Sequence, residues 1–141
     1  GDGKQITDTY RSSEDLIKLF HTMRAEQLGI IGGFVLQNTS SATQYSHYIP
    51  YMSQIIDGMN EYLNAVTLPD PRWKFYVAQF IGANAQNTND MALLDYGLKL
   101  MTELVESSPN RKLFAQSNYK YQQMKKFIED NLKKNTGKQE N

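Results

Sequence analysis

Large apolar side chains recur at steps of three and four residues in five consecutive stretches, separated by turn-forming residues, which predicts five amphipathic helices. The first opens at Ser12 or Ser13, with Glu14 and Asp15 placed where negative charge complements the helix dipole. Its seam is Leu16, Phe20, Met23, Ile30 and Phe34, interrupted by Gln27 and flanked by Ile17, Leu28, Ile31 and Val35, and it reads as core-facing to about Gln37. The second carries Tyr45, Tyr48, Met52, Ile55, Met59, Tyr62 and Val66. Pro50 falls inside that run, so this helix is either kinked near Tyr48 or starts in earnest at Pro50. Asp70 and Pro71 suit the cap and first position of a third helix bearing Trp73, Tyr76, Val77, Phe80 and Ile81.

The asparagines between Asn84 and Asn89 suggest a break, with Thr88 or Asn89 capping a fourth helix through Met91, Leu94, Leu98, Met101 and Val105. A fifth carries Leu113, Phe114, Tyr121, Met124, Ile128 and Leu132. No stretch alternates with period two, so sheet is not expected. The fold class that follows is all-α: an up-and-down bundle of about five helices, or four columns if the third and fourth form one broken rod. Residues 1–11 read as a flexible N-terminal arm, 12–132 as one helical-bundle domain, and 133–141 as a polar C-terminal tail.

At 141 residues and 40% hydrophobic the chain suits a single core. With no cysteine it has no disulfide, thiol nucleophile or cysteine-ligated metal. The longest uncharged apolar run, Leu28 to Leu36, is too short for a membrane span. A surface rich in Asn, Gln, Ser and Thr, together with a first residue that is not Met, leans toward an exported protein.

Candidate chemistry is sparse. Neither His21 nor His47 has a His or carboxylate three or four positions away, and no Glu has a His three residues later, so no helical metal pair is spelled out. Nucleophile elbows and phosphate-cradling glycine motifs are absent. No cofactor is expected. An enzyme whose site is scattered over several helices remains an alternative.

What remains points to binding. The net charge is zero, yet residues 109–141 hold eight basic against three acidic residues, and residues 41–108 hold three against seven. Tyr119, Lys120, Lys125 and Lys126 on the last helix, with the off-seam Tyr51, form a candidate interface for a protein partner. Nucleic acid is disfavoured, because no stacking platform or reading helix accompanies the lysines. Gly29, Gly32 and Gly33 each weaken a helix by about 0.8–1 kcal/mol relative to alanine, and close approach of another helix is the natural compensation. The competing reading is an apolar groove between the first and second predicted helices, lined by these glycines with Phe34, Tyr48 and Met52. On balance the sequence describes a non-enzymatic protein-interaction module, of an exported accessory, inhibitor or immunity type, with an apolar-ligand-binding bundle as the alternative.

Overall fold

Ser12 caps the first helix by accepting the Asp15 amide on its hydroxyl at 3.2 Å, and Glu14 and Asp15 occupy the first turn. The computed structural model describes residues 12–140, so the expected arm at 1–11 lies outside the described residues, as does Asn141. Among the described residues six helices follow one another: α1 (Ser13–Asn38), α2 (Ala42–Ser46), α3 (Ile49–Ala65), α4 (Pro71–Thr88), α5 (Met91–Ser107) and α6 (Lys112–Glu140). No strand occurs among the described residues, and the fold is an all-α bundle. The polar stretch from Lys133 continues α6 through Glu140.

Pro50 decides the second predicted helix. It sits in the first turn of α3, where its missing amide costs nothing, and the chain before it turns at His47 and Tyr48 after the five-residue α2. Asp70 caps α4 as expected, accepting the Arg72 amide at 2.9 Å with Pro71 at the first helical position. The break expected from Asn84 onward does not occur. Asn87 Nδ2 and Thr88 Oγ1 bond the carbonyls four residues back, both at 2.8 Å, and the helix runs on to Thr88. Asn89 ends it in the left-handed conformation (φ 54°), and Asp90, rather than Thr88 or Asn89, caps α5. With α4 and α5 at 18 and 17 residues, each is a full column and not half of one broken rod.

Cross-helix contacts fix the topology. Arg24 meets Glu61 and Leu28 meets Gly58, so α1 and α3 run antiparallel. Asn84 reaches Ser53 while Tyr62 reaches Asp70, which sets α4 antiparallel to α3. Lys74 pairs with Glu103 at 2.5 Å, and Lys125 with Asp95 at 2.9 Å, extending the up-and-down order through α5 and α6. Helix α4 is the hub: it packs on each of the other four long helices. Its Val77, Ala78, Phe80, Ile81 and Ala85 are fully buried, together with Met52 and Met59 of α3 and Leu94 and Met101 of α5.

Tyrosine hydroxyls tie these layers. Tyr62 accepts the Asp70 amide at 2.7 Å and pins the α3–α4 turn, and Tyr96 donates to Asn60 Oδ1 at 2.8 Å. Tyr121 enters between α4 and α5 against Gly97 and donates to the Ala78 carbonyl. Burial pushes the Tyr45 and Tyr121 hydroxyls well above the ordinary tyrosine value near 10. The unfolded chain therefore releases these protons at a lower pH than the folded one. Stability is fully present below about pH 10 and falls above it, by about 1.4 kcal/mol per pH unit for each tyrosine. Urea unfolding between neutral and alkaline pH should show this decline, and Tyr121→Phe should make it shallower; an unchanged slope would remove Tyr121 as a source.

Candidate interaction surface

At about 100° per residue, Ala25 lies nine positions and about 180° from both Leu16 and Phe34. That geometry corrects the expected core face of α1. The buried positions of the helix are Ala25, Gly29 and Gly32, with Leu28, Val35 and Leu36 packed partly against the core. The predicted seam faces away. Leu16, Phe20, Met23, Ile30 and Phe34, together with Ile17 and Ile31, are each 52–63% exposed.

The inward face is made of small residues because α1 lies so close to α4. A Cβ built on Gly29 would stand 2.8 Å from the Trp73 ring, and one on Gly32 would stand 2.5 Å from Phe80. Large side chains cannot enter there, so the bulky residues of α1 project from the opposite face. The glycines thus serve helix packing. Of the residues expected to share an apolar groove, Gly29, Gly33 and Phe34 do line one cleft, but its far wall is Arg72, Trp73 and Tyr76 of α4. Gly32 is covered by Phe80, Met52 is fully buried in the core, and Tyr48 stands 42% exposed as the residue preceding α3, so these three do not line the cleft. Its volume of 250 Å³ lies just below the range of about 300–1,000 Å³ typical of small-molecule pockets.

The expected lysine–tyrosine interface is divided between two faces of α6. Lys125 turns toward α5, where hydrogen bonding and charge attraction from Asp95 hold its ammonium above the ordinary lysine value. Lys120 and Lys126 instead border a 590 Å³ depression with Met124, Phe127 and Asp130, and Tyr119 is exposed. Tyr51 is also exposed, on α3. The register set by Arg24–Glu61 and Leu28–Gly58 places it level with Val35, near the end of the apolar strip.

Other chemistry is thin. Among the described residues no three His, Asp or Glu side chains cluster as a metal set, and no described helix is long and apolar enough to cross a membrane. His21 packs edge-on against Phe20 at 5.5 Å with Nδ1 buried and without a hydrogen-bond partner. His47 caps the end of α2 and is exposed.

The outer strip of α1 is the feature that sequence reasoning missed as a surface. Its signal was present in the spacing. Residues 16, 20, 23, 27, 30 and 34 step by four and three in strict alternation, the narrow seam of a helix that meets another helix rather than the broader stripe that seats on a globular core. Comparison with protein-family models, with curated proteins and with solved structures finds no match to this chain.

Proposed function

We propose that this domain is a protein-interaction module whose docking surface is the outer face of α1. The observation that carries the reading is the set of seven large apolar side chains, from Leu16 to Phe34, left about half exposed on one side of one helix. Monomeric domains rarely leave an apolar patch larger than a few hundred Å² in water, and larger ones mark interaction sites. Aromatic and methionine anchors such as Phe20, Met23 and Phe34 are the side chains enriched at interface centres. The charges of α1 argue for protein over lipid. Lys18 and Arg24 are outnumbered by Glu14, Asp15 and Glu26, so the helix lacks the basic polar face that draws amphipathic helices to anionic membranes.

The test is a pair of surface variants. Phe20→Glu/Phe34→Glu should leave helical circular dichroism intact and change folding stability by no more than about 0.5 kcal/mol per site, because neither ring supports the core. It should abolish association with any partner captured by cross-linking. Tyr119→Ala/Lys126→Glu on α6 serves as the control and should leave association unaffected. If the control variant releases the partners while the α1 variant retains them, the docking face lies on α6 and the proposal fails.

A further inference from the structure

We infer that the occupant of this face is a second copy of the same chain, bound through antiparallel pairing of the two α1 helices about a twofold axis at Ala25. The inference rests on the docking surface proposed above and identifies its partner.

Three observations carry it. The first is the self-complementarity of the seam. Reversing the helix about residue 25 brings Leu16 opposite Phe34, Phe20 opposite Ile30, and Met23 opposite Gln27. Each pair joins a larger with a smaller or more flexible side chain, and the heptad positions alternate as antiparallel helices require. The seam is polar at both ends, because its next positions outward, Ser13 and Gln37, are also exposed and also map onto each other. A twofold interface must have this property of matching itself, and twofold dimers are the commonest closed assemblies.

The second is area. Seven side chains about half exposed leave on the order of 800 Å² per copy, close to the ~800 Å² that each partner contributes to a standard stable interface. The third is clearance. The face that binds α3 and α4 is about 180° from the seam, so the two domain bodies lie on opposite sides of the paired helices and do not obstruct approach. Near the axis Arg24 is already paired with Glu61 of its own chain, so the cation brings no unbalanced charge to the contact. Gln27 beside Met23 supplies a single polar position within the seam, the device that selects one register over its neighbours.

Sedimentation equilibrium of the full chain from low to high micromolar concentration should give twice the 16.2 kDa chain mass. Phe20→Glu should weaken the dimer by roughly 30-fold or more, the loss expected of a buried anchor, with circular dichroism unchanged and with the unfolding midpoint equal to that of the parent chain once both are diluted to monomer. Because the chain has no cysteine, orientation can be read directly. Ser13→Cys and Gln37→Cys chains, mixed and equilibrated in a thiol–disulfide buffer, should form the mixed disulfide. Each alone should not, since like positions would lie roughly 36 Å apart along paired helices. Disulfides between like positions would overturn the antiparallel arrangement. A monomer at every concentration, or a dimer indifferent to Phe20→Glu, would overturn the second copy as the occupant. If that monomer still binds another protein through Phe20, the docking reading survives without the dimer; if it binds only lipid vesicles through Phe20, both fail.

Discussion

Replacing Phe80 by alanine is expected to cost about 3–5 kcal/mol of folding free energy, and the loss should be partly reversed by a second substitution that is harmful on its own. Phe80 is fully buried on α4, the helix that touches every other long helix, and its ring edge occupies the space where a side chain on Gly32 would stand. In the otherwise unchanged protein, Gly32→Ala sets a methyl group 2.5 Å from two carbons of the fully buried Phe80 ring, so the ring or the helix must shift. Overpacking of that kind costs about 1–3 kcal/mol. Once Phe80 is alanine the obstruction is gone, the methyl enters the cavity, and the gain of about 0.8–1 kcal/mol for alanine over glycine inside a helix becomes available. Gly32→Ala should therefore change sign, destabilising in one background and stabilising in the other. Urea unfolding of the four proteins measures this directly. Additive effects would mean that α1 and α4 are not in contact at this point, and the account of why α1 turns its bulky side chains outward would fall with it.

That account also explains which parts of the molecule were legible in the sequence. In α3 and α5 the apolar positions Met52, Ile55, Met59, Leu94 and Met101 read correctly as core, because exposed polar residues such as Asp57, Glu61, Lys99 and Glu106 fill the other faces. Phe80 is buried on α4 because that helix is packed by neighbours on most sides, and Tyr48, expected on the second seam, is exposed. α1 has apolar residues on two opposite faces, and periodicity alone assigns the larger ones inward. The choice went the other way because glycine and alanine, weakly hydrophobic by any scale, permit a backbone approach that places the Trp73 and Phe80 rings against the helix itself. The outer strip was thus visible residue by residue, with its direction reversed. The α4–α5 boundary was obscured for a different reason. Asn84, Asn87 and Thr88 favour turns when their side chains compete for backbone groups, yet here each has a partner that leaves the helix intact. The lysine cluster was divided because Lys125, about 100° around α6 from Lys126, faces α5 and pairs with Asp95 there, while Lys120 and Lys126 border the depression.

Asn84 marks the second large expected effect. It is 2% exposed, and it accepts the Tyr45 hydroxyl proton on Oδ1 while donating from Nδ2 to Ser53 Oγ at 3.1 Å and to the Ile49 carbonyl at 3.4 Å. One side chain thereby joins α2, α3 and α4. Asn84→Leu preserves approximate volume but removes the partner of the buried Tyr45 hydroxyl, and the cost should be about 2–4 kcal/mol once the lost hydrogen bonds are included. Because a five-residue helix has no stability of its own, the damage should concentrate in α2. Amide exchange around Tyr45 should accelerate far more than exchange in α5. Tyr45→Phe alone should also destabilise, by leaving Asn84 Oδ1 without its donor. The two changes together remove both halves of the buried pair, and Ser53 is exposed enough to turn to water, so the double variant should be markedly more stable than Asn84→Leu alone. Were the double variant instead to lose the sum of both, Tyr45 and Asn84 would be acting independently, and α2 would be held by apolar packing rather than by this hydrogen bond.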